Sequence, residues 1–581
     1  MTFCTVRLLP DEIEVRVREG TTISGAAFQA GISVAHPCGG GGVCGRCIVL
    51  ADGHPAKACK TVIDRDMEIH IPDSVRLTGQ AVLTDIRLYH EDKGTAGTAK
   101  LRVERVAVEI EPPVLGDAGD DFSRLKEALA SKMGIRQDSI RIEYDCLQTL
   151  PHKIREKGFA LPVTLIHEGR GATILSLADS PLYGLAVDIG TTTIVMALCD
   201  LETGFVLDTV GMPNPQGEYG ADVINRIVFT EEYPEGMSLM RGAVIHALTE
   251  SIRTLAGRVN IDPADIPVMT VAGNTVMSHF LLGLPCDFLR REPYVPAARE
   301  YPALKPSDLG LPIMPWGRVI VLPGVSSYVG GDIVAGVVAT GLASLPGLSV
   351  LVDVGTNGEI VLAGEGYMVA CSCSAGPAFE GSGISCGSRA VSGAVDNVYY
   401  HKGHMVFDVI GGHRIQPASI CGSGLISMLS ALLQKGAIDR AGRFTTEEKA
   451  FALTPEVVIT QPDVTNLIRS KAAIYAGMRV LANRMEIKLS DVDRVYIAGG
   501  FGRNLNIEYA ISIGMLPHLP HDAFAFVGNS ALAGALMVLN DRTIDTVETA
   551  ASILNLELSA DNMFMDEFIK ASFLPHTEEL F

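Results

Sequence analysis

Two stretches far apart in the chain share one grammar, and together they restrict the fold more than any other feature. The first, YGLAVDIGTTTIVMALCDLETG (183–204), reads as a buried strand ending in Asp188, a turn through Gly190, Thr191, Thr192 and Thr193, and a second strand running to Glu202-Thr203-Gly204. The second, SVLVDVGTNGEIVLAGEGYMVA (349–370), repeats it with Asp353, Gly355, Thr356, Asn357, Gly358 and Glu359. A strand, an Asp-x-Gly-Thr turn and a second strand set a carboxylate beside exposed N–H and hydroxyl donors. The donors suit phosphate oxygens, and the carboxylate suits hydrated Mg²⁺. One such turn arises readily by chance. Two, each leading into a hairpin, predict duplicated α/β halves that face a nucleotide.

A third element, DRVYIAGGFGRN (493–504), runs an apolar strand into Gly499 and Gly500, whose missing side chains let a flat adenosine lie against backbone. Neither GxxxxGK followed by Ser or Thr nor a strand-linked GxGxxG occurs, which removes the two obvious rival nucleotide folds. Together the three elements resemble the phosphate-1, phosphate-2 and adenosine motifs of the actin, sugar-kinase and heat-shock-70 ATPase superfamily, with its ribonuclease H-like fold. The resemblance covers about 181–581, divided into subdomains at 181–345 and 346–581. It implies ATP and Mg²⁺ as ligands. Asp188 and Asp353 are then expected to orient Mg²⁺ and the attacking water, while Thr191, Thr192, Thr356 and Asn357 grip phosphates. Asp222 or Glu359 is expected as base or supporting carboxylate.

Near the other end lies CGGGGVCGRCIVLADGHPAKAC, with Cys38, Cys44, Cys47 and Cys59 spaced C-x5-C-x2-C-x11-C. Before it, VRLLPDEIEVRV alternates around a Pro-Asp turn as a hairpin, and TTISGAAFQAG reads as a short helix capped by Thr21 or Thr22. Glycines 39–42 let a loop wrap closely around a cluster, and the last cysteine returns on a hairpin turning at Asp52-Gly53. The arrangement resembles plant-type ferredoxin domains, with one extra residue in the first gap, and implies a 2Fe-2S cluster on those four thiolates. Structural zinc usually joins two C-x2-C knuckles and here there is one; an absence of metal is the remaining alternative. Cys4, in the first strand, reads as a core residue.

Between the two ends, 85–100 reads as a polar, small-residue linker and 101–180 as a small α+β middle domain. Asp120 or Asp121 is placed to cap a helix with Leu125, Leu129 and Met133 on one face, and no catalytic motif is evident; a spacer or dimerisation role is expected. The first domain then spans 1–84. The fold class is thus α/β multidomain: an N-terminal β-grasp ferredoxin-like domain, the middle domain, and a C-terminal duplicated actin-like ATPase.

Charge narrows the partners. A formal net charge of −20 opposes non-specific nucleic-acid or anionic-membrane binding. Twenty uncharged residues between Asp332 and Asp353 approach the length of a bilayer span. Pro346 and three glycines favour instead a buried helix, a Leu-Pro-Gly turn and a buried strand. The opening MTFCTVRLLPDEIEV lacks an apolar leader segment, so a cytoplasmic location is expected, where the thiols stay reduced. His279 reads as a packed core histidine, and Cys371, Cys373, Cys386 and Cys421 as structural thiols.

With PNPQGEYGADVINRI (213–227), AGNTVMSHFLLG (272–283), CSCSAGPAFEGSGISCGS (371–388) and ICGSGLIS (420–427), the domain order closely resembles the reductive activators of corrinoid proteins. Those proteins use ATP to return inactive Co(II) corrinoid to Co(I) in anaerobic methyl-transfer systems. The resemblance implies one-electron transfer to a corrinoid protein, an upstream donor that the sequence does not name, and a homodimer. Plant-type clusters lie near about −400 mV as a class, and Co(I) is a stronger reductant, so an ATP-driven population shift has a physical use. Two other classes stay open: an ATP-driven activator of another low-potential enzyme, and a non-catalytic redox-sensing adaptor.

Overall fold

In the computed structural model the described residues are 3–10, 13–30, 34, 47–58, 60–72, 101–168, 171–220, 222–381, 383–388, 390–412, 415–499, 505–540 and 545–577. The expected linker, 85–100, lies outside them, as do Cys38, Cys44, Cys59 and Gly500.

Alternation of apolar residues builds the first sheet. β1 (Phe3–Leu9) pairs antiparallel with β2 (Ile13–Arg18), sending Cys4, Val6 and Leu8 into the core. α1 (Ile23–Gln29) follows, and the Thr22 hydroxyl accepts the Gly25 N–H at 3.1 Å, the cap that the sequence suggests. β3 (Ile48–Ala51) and β4 (His54–Lys57) turn at Asp52-Gly53, and β5 (Met67–His70) inserts parallel to β1. The order β2-β1-β5-β3-β4, with α1 across it, is a β-grasp.

The middle domain contains β6 (Leu101–Glu109), α2 (Asp121–Met133), β7 (Ile140–Ile142), α3 (Tyr144–Glu156), β8 (Ala160–Glu168) and β9 (Gly171–Ser176). Asp120 caps α2, and Leu125 and Leu129 pack with Leu150 and Ile154 of α3 over the sheet β6-β8-β9-β7. This unit is fastened to its neighbour. The Trp316 indole N–H donates to the Leu175 carbonyl at 2.7 Å, Lys305 pairs with Glu143 at 3.1 Å, and Arg105 pairs with Glu202.

Lobe 1 contains β10 (Tyr183–Ile189), β11 (Thr193–Asp200), β12 (Val206–Pro213), α4 (Val223–Glu232), α5 (Gly236–Val259), β13 (Val268–Gly273), α6 (Thr275–Leu282), β14 (Arg318–Val321) and α7 (Gly331–Thr340). Lobe 2 opens with β15 (Ser349–Val354), β16 (Gly358–Gly364) and β17 (Tyr367–Cys373). An outer layer follows: β18 (Ala394–His401), β19 (His404–Val409), β20 (Ser419–Ile420) and α8 (Gly422–Lys435), with the hairpin β21 (Ala450–Ala452) and β22 (Val458–Thr460). α9 (Gln461–Arg484), β23 (Arg494–Ala498), α10 (Ile507–Ser512), β24 (Phe524–Gly528), α11 (Ser530–Asn540) and β25 (Ile553–Asn555) complete the sheet. Lobe 1 orders its strands β12-β11-β10-β13-β14, and lobe 2 repeats this as β17-β16-β15-β23-β24 with β25 added at one edge. The duplication legible in the Asp-x-Gly-Thr turns is therefore a duplication of topology.

The uncharged stretch after Asp332 divides into α7, a short turn and β15; among the described residues no helix is long and apolar enough to cross a membrane. Two helices change sides. Ile333, Val334 and Val337 of α7 pack with Leu351 and Val361 of lobe 2, while Ala531 and Ala535 of α11 pack with Ala186 and Ala272 of lobe 1. The helices meet where a Cβ on Gly534 would lie 2.0 Å from the Ala335 carbonyl oxygen, an approach that only glycine permits. Each lobe therefore packs against one helix from the other side of position 345/346.

A candidate nucleotide site between the lobes

Both Asp-x-Gly-Thr turns lie at the carboxyl ends of their strands, where open α/β sheets bind ligands. Asp188 on β10 stands opposite Ala272 of β13, and Asp353 on β15 stands in the same relation to Ala498 of β23. Each turn closes on itself: the Gly190 N–H donates to Thr193 O at 3.0 Å and the Gly355 N–H to Asn357 O at 2.9 Å. The turns also touch. Thr192 Oγ1 and Thr356 Oγ1 are 3.2 Å apart, and both contact Oε2 of Glu380, at 3.1 and 3.3 Å.

The first turn is braced from behind by side chains within the stretches 213–227 and 272–283, to which the sequence reading assigns no individual role. Asn214 Nδ2 donates to Gly190 O at 2.8 Å, and Asn274 Nδ2 to Thr191 Oγ1 at 3.0 Å. Arg226, buried in α4, donates through Nη2 to Thr191 O at 2.7 Å and through Nε to Gly220 O at 2.9 Å. Burial lowers its pKa to about 10, which leaves it cationic at neutral pH.

Carboxylates crowd the other side. Burial, with the charge of Asp353 adding to it, pushes Asp188 up to about 7; Asn529, at the start of α11, offsets this by donating to Oδ2 at 2.8 Å. Burial also pushes Asp353 up to about 7, with Asp332 and Glu380 contributing. Asp332, in the first turn of α7, and Glu359 are raised by burial and then by neighbouring carboxylates, Asp188 for the former and Asp332 and Asp353 for the latter. Glu359 sits directly across the β15–β16 ladder from Asp353, where two like charges are unfavourable; in lobe 1 the matching position is Val195. Such a site opposes a bare phosphate and favours one accompanied by a divalent cation. Among the described residues no three His, Cys, Asp or Glu side chains form a ready cage for a metal ion.

Asp222 is the N-cap of α4, accepting from the backbone N–H of Asn225 at 2.8 Å and from its Nδ2 at 2.9 Å, so its carboxylate already has a structural task. Gly499 has φ +107°, and a Cβ there would lie 2.3 Å from Val354 O. Its absent side chain thus lets β23 close on the second turn, a local reason additional to room for an adenosine. Cys47 is buried beside β3. His279 is fully buried, its Nδ1 bonded to Thr275 O at 2.7 Å and its Nε2 accepting from Ala297 N at 3.1 Å, and burial lowers its pKa, as a satisfied core histidine requires. Cys371, Cys373 and Cys421 are buried, and Cys4 lies in the β-grasp core.

Sequence-family profiles match nearly the whole chain. The 2Fe-2S iron-sulfur cluster binding domain matches residues 4–73, the RACo linker region 94–180, the RACo middle region 183–344, and the C-terminal domain of RACo, the ASKHA domain, 347–581. The corrinoid activation enzyme RamQ of Eubacterium limosum is 32% identical over 419 residues, covering 67% of this chain and 70% of that protein. The Co(II) methylated amine-specific corrinoid protein reductase of Methanosarcina barkeri is 27% identical over 426 residues, 66% of this chain and 74% of that protein. Among solved structures, a reductive activator for corrinoid, iron-sulfur protein aligns with a TM-score of 0.75 at 36% identity, covering 99% of each chain.

Proposed function

The chain belongs to the family of reductive activators of corrinoid proteins, and on that premise we propose that it is an ATP-dependent activator that delivers one electron to a Co(II) corrinoid protein, returning the cobalt to Co(I). The observation that carries the nucleotide half of this reading is the meeting of the two phosphate turns, Thr192 of one lobe against Thr356 of the other, beside a crowd of raised carboxylates. The electron half rests on the N-terminal cluster-binding domain. A 2Fe-2S cluster held by Cys38, Cys44, Cys47 and Cys59 would supply the electron.

Within the site, Thr191, Thr192, Thr193, Thr356 and Asn357, with the backbone of Gly190, Gly355 and Gly358, bind phosphate oxygens. Asp188 and Asp353 position Mg²⁺ and water, with Glu359 supporting them. Gly499 and Gly500 border the adenosine. Two lobes joined by the crossed helices α7 and α11 make a bistable element, so nucleotide binding shifts the population of a closed form in which the corrinoid protein docks. The partner is a corrinoid protein of a methyltransferase system, and the active form is a homodimer.

Mutation tests the assignment. Asp188→Ala and Asp353→Ala abolish ATP turnover and leave the visible spectrum of the cluster domain unchanged; turnover surviving in both variants refutes the Mg²⁺ role.

A further inference from the structure

Glu380 ends the short turn Pro377–Glu380, and its carboxylate reaches between the two lobes. Oε2 meets the hydroxyls of Thr192 and Thr356 at 3.1 and 3.3 Å, one hydroxyl from each phosphate turn. Oε1 lies over the second turn, 3.6 Å from where a Cβ on Gly355 would stand. A phosphate oxygen gripped by both turns needs the same surroundings: negative charge, two hydroxyl donors, and a place between the lobes. The Glu380 charge also bears on the neighbouring aspartate, adding to what raises the Asp353 carboxyl. Two anions do not share such a position without cost. The turn that carries Glu380 is anchored by Ala378 and Phe379, both buried in the lobe 2 core, so what a competing anion can displace is the Glu380 side chain.

We propose that Glu380 is an internal phosphate surrogate: an autoinhibitory contact that ties Thr192 to Thr356 and that the terminal phosphate of a nucleotide must displace. The proposal rests on the nucleotide reading above and adds a competition to it. ATP binding replaces one anion between the lobes by another, and the Glu380 side chain swings away from the two hydroxyls while its turn stays in place. Part of the intrinsic affinity for ATP is spent on this exchange, which sets a threshold below which the lobes stay latched by the protein's own side chain.

Calorimetric titration of the full chain with Mg-ATP and with Mg-ADP tests it. Glu380→Gln keeps the shape and removes the charge, so Mg-ATP should bind about tenfold more tightly, as expected for relieving one like-charge contact. Mg-ADP, which lacks the terminal phosphate, should gain less. Glu380→Asp, too short to bridge both hydroxyls, should fall between wild type and Glu380→Gln. Damage to the fold weakens binding, so tightening cannot come from a merely structural role. Wild-type binding with Glu380→Gln unchanged or weaker overturns the surrogate alone. Absence of ATP binding in every variant overturns the nucleotide reading, and the surrogate with it.

Discussion

Replacing Arg226 by Met separates what this residue does for the fold from what it does for the nucleotide. The side chain is 1% exposed and makes no ion pair among the described residues. Its firm bonds are to two backbone carbonyls, Thr191 O at 2.7 Å and Gly220 O at 2.9 Å. Met fills a similar volume but donates nothing. Each buried carbonyl left unpaired costs about 1–3 kcal/mol, or about 2–6 kcal/mol for the pair. Relief of the desolvated charge offsets part of this, giving a net destabilisation of about 2–4 kcal/mol. The charge itself lies directly behind the first phosphate turn. At an effective dielectric of about 20 and a separation of roughly 7 Å, a unit charge attracts a unit of phosphate charge by about 2 kcal/mol, equivalent to about thirtyfold in affinity. Arg226→Met should therefore raise KM for ATP by one order of magnitude or more, with a smaller change in kcat, and lower the urea midpoint of the ATPase lobes. Arg226→Lys keeps the charge and loses the planar fork, so it should recover much of the KM but little of the stability. Steady-state ATP turnover and urea unfolding read the two effects separately. A KM within twofold of wild type and an unchanged midpoint would refute both the bracing and the electrostatic argument.

The carboxylate cluster sets the pH dependence. Asp188 and Asp353 are raised to about 7, so each holds a proton in the fold that the unfolded chain releases from pH 4 upward. Metal-free stability should fall as pH rises towards 7, and ATP turnover should show an acidic limb near 7. Removing one neighbouring charge in Asp332→Asn should move that limb to lower pH, read from kcat/KM profiles; a limb that stays in place refutes the coupling. At the helix crossing, Gly534→Ala puts a methyl group on the Ala335 carbonyl oxygen, 2.0 Å away without movement, and should cost about 1–3 kcal/mol, visible as a lower Tm of the ATPase lobes.

The parts of this site that the sequence exposes are those written in consecutive residues. Asp188 with Gly190 to Thr193, and Asp353 with Gly355 to Glu359, are strand, turn and strand in one reading frame, so the turns and the duplicated fold follow from local pattern. The residues that join the turns are not written that way. Asn529 reaches Asp188 because α11 crosses into lobe 1, and Asp332 enters the site because α7 leans on lobe 2. In the sequence Asp332 is merely the last charge before a long uncharged stretch. Glu380 lies in a Gly-rich loop with no period to place it, and Arg226 resembles any helical arginine until its burial is known. Asp222 shows the converse, a carboxylate at a plausible spacing whose bonds are those of a helix cap. The cluster cysteines are marked by their spacing, by glycines 39–42 and by the hairpin and helix order around them, and three of the four lie outside the described residues.

The central claim is that this chain couples ATP to the reduction of cobalt. Under anaerobic conditions, the reduced full-length protein is mixed with a Co(II) corrinoid protein and the visible spectrum is followed with and without Mg-ATP. The account predicts that the Co(I) band grows only when Mg-ATP is present and that Asp188→Ala prevents it. A Co(I) band that forms equally well without nucleotide would contradict the coupling. So would no Co(I) band across a panel of corrinoid proteins while the cluster is reduced and ATP is turned over.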